Sequence, residues 1–324
     1  MQRGDQRSPA TGTVRRPHRQ EPERREQDAV SAVPVFVLGL QRSGTTWLAN
    51  CLGGHPRVAA VEAVEHRGVH ESIFFSHFAR AFGDLDDEDN FRRFAEAFTT
   101  CDYFLLSGCD REAFIAARPR SYATAFRWVM DDLATRCAAT HWLEKSPDHT
   151  LLGPDLAALF PDARFVGIRR DPAALLRSRL WAFGRTPPGP VRRIPRVLRG
   201  AFSISLHTRA LDHFCASCDR ALMVSYEDLR ADTPDVLRRI GDSLGCGFDP
   251  EMLAERFAAN TSFSGPGREN ERLTSLDHAV LKFAGAVARL APWPLLAALH
   301  RNSPGQQDVT WPQWCWQMRD RSGP

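Results

Sequence analysis

Lysine is almost missing from this chain. Among its 42 basic residues only Lys145 and Lys282 are lysines, so nearly all its positive charge is arginine. A lysine kept inside a motif is therefore an uncommon choice here. Long apolar runs are missing too: none approaches the ~18–20 consecutive residues a helix needs to cross a bilayer. The stretch from Met1 to Asp28 is rich in Arg, Glu, Gln and Pro and lacks the apolar core of a secretory signal, which makes a cytoplasmic location the expectation. Net charge is only +3, so composition alone points to neither nucleic acid nor membrane as a partner. Eight scattered cysteines read as reduced thiols. The one C-x-x-C, Cys215 to Cys218, follows a helix pattern and precedes a strand pattern. A redox pair would have the reverse order, so neither a redox nor a metal role is read there.

What is present is an ordinary globular composition, 43% hydrophobic and 25% charged. Residues 1–30 are polar and aperiodic and read as a disordered tail. Order begins at Val33-Pro34-Val35-Phe36-Val37-Leu38, an apolar run typical of a buried parallel strand. Further strands are expected at His141–Glu144, Arg164–Arg169 and Ala221–Ser225. Helices are expected from Thr45 to about Leu52, at Tyr122–Cys137, Leu151–Phe160, Pro172 to about Phe183 and Pro234–Leu244, with surface helices at Ser72–Phe82 and Asn90–Phe98. Arg185–Arg196, rich in Pro, Gly and Arg, reads as a loop, either a mobile lid or one facing an acceptor. Trp293, Trp311, Trp314 and Trp316 read as a packed terminal clasp. Strands alternating with helices give an α/β fold, a mostly parallel sheet flanked by helices.

The strongest motif is Gly39-Leu-Gln-Arg-Ser-Gly44-Thr45-Thr46, between the first strand and the first helix. Its G-x-x-x-x-G spacing aims backbone N–H groups at one point beside a positive helix end, which suits an oxyanion. A nucleoside triphosphatase needs Lys after the second Gly, and here that residue is Thr45, with the cation moved into the loop as Arg42. No acidic strand end offers itself to Mg²⁺. The loop is built for an anion, but not for a magnesium-bound triphosphate.

Pro34-Val-Phe-Val-Leu-Gly-Leu-Gln-Arg-Ser-Gly-Thr-Thr-Trp47-Leu48 resembles the 5'-phosphosulfate loop of the sulfotransferases that use 3'-phosphoadenosine 5'-phosphosulfate (PAPS). That resemblance spans roughly Pro34 to Leu244 and implies a P-loop NTPase-like sulfotransferase fold, with residues 31–324 expected to form the one domain. It implies that Arg42, Ser43, Gly44, Thr45 and Thr46 hold the 5'-phosphosulfate, with Trp47 beside it. Arg170-Asp171-Pro172, followed by Ser178, is similar to the family's 3'-phosphate site and carries Arg170 and Ser178 over as ligands. Glu144-Lys145-Ser146-Pro147 is similar to the family's E-K-T-P, which places Lys145, together with Arg42, near the bridging oxygen between phosphate and sulfate. Tyr226-Glu-Asp-Leu229 resembles the family's Y-E-D-L and puts Tyr226 near the adenine. Arg268 matches a late 3'-phosphate motif poorly.

The base that takes the acceptor's proton is less legible. The histidine that some members carry two residues after the lysine is Pro147 here. Glu62, after His55-Pro56, fits the spacing of the protein-tyrosine branch and is the first choice, with Glu65, His66, His70 and His149 as rivals. His66 and His70, four residues apart, also resemble a metal pair, but sulfuryl transfer needs no metal and none is expected. The expected activity is transfer of a sulfuryl group from PAPS to a hydroxyl or amine of a small-molecule, glycan or lipid acceptor. A P-loop kinase and a non-catalytic nucleotide-binding module are the alternatives. The sequence fixes neither the acceptor nor the oligomeric state.

Overall fold

The computed structural model describes residues 31–64, 67–181, 190–257, 272–292 and 311–318. The tail 1–30, Glu65, His66, Arg268 and Trp293 lie outside the described residues. In chain order the elements are β1 (Val33–Leu38), α1 (Thr45–Gly53), β2 (Val58–Ala60), β3 (Glu62–Ala63), β4 (Gly68–Val69), α2 (Ala79–Ala81), α3 (Glu88–Thr99), α4 (Asp102–Ser107), α5 (Arg111–Ala117), α6 (Tyr122–Arg136), β5 (His141–Lys145), α7 (Gly153–Leu159), β6 (Arg164–Arg169), α8 (Pro172–Leu180), α9 (Pro190–Ser217), β7 (Ala221–Ser225), α10 (Tyr226–Ala231), α11 (Thr233–Leu244) and α12 (Ser275–Leu290).

Five strands form one parallel sheet in the order β2-β5-β1-β6-β7, while β3 and β4 pair as a small antiparallel hairpin. The parallel sheet flanked by helices agrees with the sequence reading. β1 lies at its centre despite Pro34. Val33 turns its N–H toward β5, donating to Thr140 O, so the missing N–H of Pro34 faces the β6 side. β6 joins β1 only from Val35 onward, and no ladder bond is lost.

Alternation along β1 divides the core. Phe36 and Leu38 enter an aromatic layer with Phe74, Phe75, Phe126, Trp142, Phe160 and Phe165. Val35 and Val37 enter an aliphatic layer under α1 and α11. A third cluster joins α8, α9 and α12 through Leu175, Leu176, Ala201, Ile204 and Leu281.

Two expectations need correction. Ser72–Phe82 is no surface helix: it folds as a π-helical turn, Phe74–Phe78, followed by α2, and buries Phe74, Phe75 and Phe78. Asn90–Phe98 is a surface helix as expected, within α3: it exposes Arg92, Arg93 and Glu96 and buries Phe91, Phe94 and Phe98. The second half of the Arg185–Arg196 loop is helix, because α9 begins at Pro190 and absorbs Pro195; 182–189 lie outside the described residues. Trp311, Trp314 and Trp316 do pack on the body: Trp311 stands edge-on to Phe78 at 4.7 Å, and Trp314 edge-on to His70 at 5.2 Å. Cys215 and Cys218 are free thiols, and burial pushes Cys215 up to about 12, the opposite of a reactive pair.

Candidate functional site

In a parallel sheet the carboxyl ends of all strands meet at one edge, where crossover loops leave room for a ligand. The register places the sequence motifs there. Val37 is level with Lys145, Leu38 with Gly167, and Arg169 with Ser225. The loop after β1, Lys145 at the end of β5, Arg170 after β6 and Tyr226 after β7 are thus gathered along four neighbouring strands. At ~4.8 Å per strand these span about 14 Å.

The β1–α1 loop is tightly held. Ser43 donates from both its amide (3.0 Å) and its hydroxyl (2.7 Å) to Leu40 O, and the Gly39 amide donates to Thr150 Oγ1 at 3.0 Å. Arg42 adopts φ 75°, a left-handed conformation that costs a non-glycine residue energy and is kept where the loop's shape is needed. Gly44 has φ 98°, and a Cβ there would stand 2.5 Å from the Tyr226 ring, so only glycine fits.

Gly44 caps α1 without a side-chain hydrogen bond, and the first turn holds no acid. Several other helix starts are closed by side chains, among them Asp87, Ser121, Asp171 and Thr274, while α2, α4 and α7 are open like α1. The first-turn amides of α1 have no intrahelical acceptor, so the positive helix end stays available to an anion.

Arg170 crosses to the loop and donates from Nη1 to Arg42 O at 2.8 Å, while its guanidinium lies 4.1 Å from the centre of the Tyr226 ring. Trp47 stands edge-on to the same ring at 5.8 Å. Asp171 caps α8 by accepting from the Ala174 amide at 2.7 Å, and its own amide donates to Glu227 at 3.0 Å. Two turns into α8, Ser178 Oγ is buried and, among the described residues, has no hydrogen-bond partner; nor has Arg170 Nε. A hydroxyl and a guanidinium N–H buried without acceptors are costly unless a ligand supplies the acceptor. Burial also lowers Arg42 below the usual guanidinium value, so the desolvated cation would gain from an anion.

On the other side of the loop Lys145 is almost wholly buried, at 2% exposure. Its Nζ donates to Thr46 Oγ1 at 3.3 Å and to Glu71 Oε1 at 2.8 Å. The Glu71 side chain keeps 29% of its surface open, which puts a carboxylate at the mouth of the site. Sequence reasoning missed it.

A buried network fixes that carboxylate's backbone. Glu144 points to the face of β5 opposite Lys145 and accepts from Ser72 (2.7 Å), Ser146 (2.6 Å) and His149 Nδ1 (3.0 Å). His149 Nε2 accepts from the Phe75 amide at 3.1 Å, so the ring proton sits on Nδ1; Ser146 Oγ accepts from the Ile73 amide at 3.0 Å. Burial alone would raise the Glu144 carboxyl, but His149, Ser146 and Ser72 outweigh it and hold it below its ordinary value.

The first-choice base lies elsewhere. Glu62 is gripped by Arg256 through two bonds, 2.7 and 3.1 Å, and burial, partly offset by Arg256, raises its carboxyl. Its Oε1 lies 2.8 Å from where a Cβ on Gly53 would be. Gly53 ends α1 eight residues after Thr45, about 12 Å along the axis from the helix's open N-terminal end. His70 is buried, stacked at 6.1 Å on Tyr103, and His149 is wholly enclosed in its network. The structure therefore brings Arg42, Ser43, Gly44, Thr45, Thr46, Trp47, Lys145, Arg170, Ser178 and Tyr226 to one edge, and adds Glu71 where Glu62 was expected.

The pattern that defines the sulfotransferase family matches residues 34–250. No curated protein shows significant similarity to the chain. Among solved structures, the sulfotransferase domain of the Synechococcus PCC 7002 olefin synthase is 21% identical, covering 86% of this chain and 98% of its own, with a TM-score of 0.46. Sulfotransferase STF1 from Mycobacterium tuberculosis is 16% identical, covering 80% and 78%, also at 0.46. Mouse sulfotransferase SULT7A1, solved with PAP, is 10% identical, covering 83% and 87%, at 0.40. These structural likenesses are loose, and the weight rests on the sequence match.

Proposed function

The chain belongs to the sulfotransferase family, and on that premise we propose that it is a PAPS-dependent sulfotransferase acting on a hydroxyl or amine. The observation that carries the reading is the pair of buried polar atoms without partners, Ser178 Oγ and Arg170 Nε, beside a helix whose N-terminus no side chain closes. An adenosine nucleotide with separate 5' and 3' anionic groups answers both features. Arg42 and the amides of residues 43–46 would take the 5' group, and Arg170 with Ser178 the 3'-phosphate. Tyr226 and Trp47 would line the base. PAPS would supply the activated sulfuryl group.

The chain's own residues supply the rest. An ammonium has three donors, and Lys145 spends two on Thr46 and Glu71. Its third N–H can meet charge that grows on the bridging oxygen as the S–O bond breaks, an interaction stronger in the transition state than before it. Glu71, half-open at the mouth, is the group within reach of an incoming acceptor proton. Glu62, held by Arg256 near the far end of α1, would serve structure instead. The acceptor would be a soluble small molecule, a glycan or a lipid headgroup, and the protein would act in the cytoplasm.

Calorimetric titration with 3'-phosphoadenosine 5'-phosphate (PAP), without metal, tests the reading beside ATP plus Mg²⁺. Metal-free PAP binding that disappears in Arg170→Ala is the expected outcome. Preference for Mg-ATP, or no nucleotide binding, would overturn it in favour of a kinase or a non-catalytic module.

A further inference from the structure

Away from the nucleotide edge, α9 and α12 lie side by side in parallel. Arg193 near the start of α9 pairs with Asp277 near the start of α12 at 2.5 Å. Further on, Arg209 donates to the carbonyls of Ala288 and Ala291 that end α12. The inward faces are well packed, with Ala201, Ile204, Leu281 and Ala284 all buried.

The outward face carries side chains that water does not favour. Leu276, Phe283 and Leu290 recur every seven residues along one stripe of α12, with Val287 beside them, and Phe283 and Leu290 are 60% and 84% exposed. Ile194 and Leu198 on α9 are exposed as well, and Phe202, one turn on, meets Phe283 edge-on at 6.1 Å. The two apolar stripes thus adjoin. Single exposed leucines need no explanation, but six large apolar side chains on adjoining stripes of one helix pair do.

The exposed charges that the two helices place beside this patch have one sign. Arg192, Arg196 and Arg199 follow i, i+4, i+7 spacing along a second stripe of α9, and Lys282 and Arg289 lie outside the apolar stripe of α12; all five are exposed. The two helices contain only two acids. Asp277 is buried against Arg193, and Asp212 lies under the influence of Arg169. Among the described residues of the two helices, no carboxylate offsets these cations.

From this combination we infer that the α9–α12 face docks on an anionic phospholipid surface. Exposed apolar side chains enter the boundary between headgroups and acyl chains, and flanking arginines meet lipid phosphates. A water-facing helix pair has no use for the apolar stripe. A neutral apolar partner has none for cations without counter-charges. The docking is peripheral, since no helix among the described residues is long and apolar enough to cross a membrane. It stands on surface chemistry and is independent of the nucleotide site.

The test is cosedimentation of the full chain with vesicles of phosphatidylcholine alone and of an equal mixture with phosphatidylglycerol, in low and high salt. Binding is expected to the mixed vesicles and to fall with salt. Losing three arginines in Arg192→Gln/Arg196→Gln/Arg199→Gln is expected to weaken it about a hundredfold. Phe283→Ser/Leu290→Ser, which removes two mostly exposed side chains, is expected to weaken it at least about tenfold while PAP binding stays unchanged and Tm moves only by the loss of the Phe202–Phe283 contact. Failure to bind mixed vesicles, or binding indifferent to both variants, would overturn the inference. So would a dimer in analytical ultracentrifugation that Phe283→Ser disperses, since the face would then be covered by a second copy.

Discussion

Ser178→Ala separates a ligand group from a structural one, because the two roles predict opposite results. A buried hydroxyl that holds the fold together loses a hydrogen bond on truncation, and the protein is destabilised. Ser178 Oγ is buried but has no partner among the described residues, so alanine removes an unsatisfied group and nothing else. Such a group costs ~1–3 kcal/mol where it stays unpaired, which makes the change neutral or slightly stabilising for the free protein. The same hydroxyl donating to a phosphate makes a hydrogen bond to a charged group, ~1.5–3 kcal/mol. Its loss should weaken PAP about 10- to 150-fold. Calorimetry on the variant gives one number and a thermal scan the other. A Tm lower by several degrees, or a PAP affinity within a factor of two of the parent, would refute the placement of the 3'-phosphate against α8.

Lys145→Met should lower kcat about 10²- to 10³-fold, the scale for one preorganised donor at developing charge, with a smaller change in PAP affinity; comparable losses in both would make it a ground-state ligand. Glu71→Gln should reduce kcat at least about 10²-fold with PAP binding retained, whereas Glu62→Gln should act mainly on Tm by weakening its bond to Arg256. Ser72→Ala loosens the segment that carries Glu71, so it should lower kcat in the parent but add little to Glu71→Gln; additive losses would mean the two act separately. Glu144 is held below its ordinary value of 4.5, so its contribution to stability is fully present above that pH and is lost as pH falls through the folded-state value. Urea midpoints taken from neutral to acid pH should therefore decline below about 4.5, and Glu144→Gln should remove that dependence along with much of the stability.

The elements the sequence revealed are those whose pattern is complete within one segment. β1, β6 and β7 each carry a short apolar run ending at a motif, and β5 is marked by Trp142-Leu143 ahead of Glu144-Lys145. α8 and α11 announce themselves through Asp171-Pro172 and Asp232-Thr-Pro234, an acid cap followed by proline in the first turn. β2, β3 and β4 are two or three residues long, too short for any period to appear. The start of α9 reads as a loop because Pro187, Pro188, Pro190 and Pro195 crowd it. Helix forms there because Val197, Ala201 and Ile204 find an apolar bed against α8 and α12, and burial overrides propensity. α12 carries a signal of the same local kind, a capping box of Thr274 and Asp277 ahead of a periodic apolar stripe.

The two glutamates show where chain spacing stops being a guide. Counting from His55-Pro56 selects Glu62, and the count is sound as far as the chain runs straight. It does not run straight: Glu62 pairs with Val69 across the β3–β4 hairpin, so the chain doubles back after it. One end of the detour leaves Glu62 against Gly53, where Arg256 holds it. The other end passes into Ser72 and Ile73, which Glu144 and Ser146 anchor from the far face of β5. Because neighbours on a strand point to opposite faces, Lys145, next along β5 after Glu144, points to the other face of the sheet, toward Thr46 and Glu71. A segment tied to Glu144 thus delivers its own acid, Glu71, to Lys145. The chain's scarce lysine and the acid that faces it are set by one strand's alternation and one buried carboxylate, neither of which spacing in sequence measures.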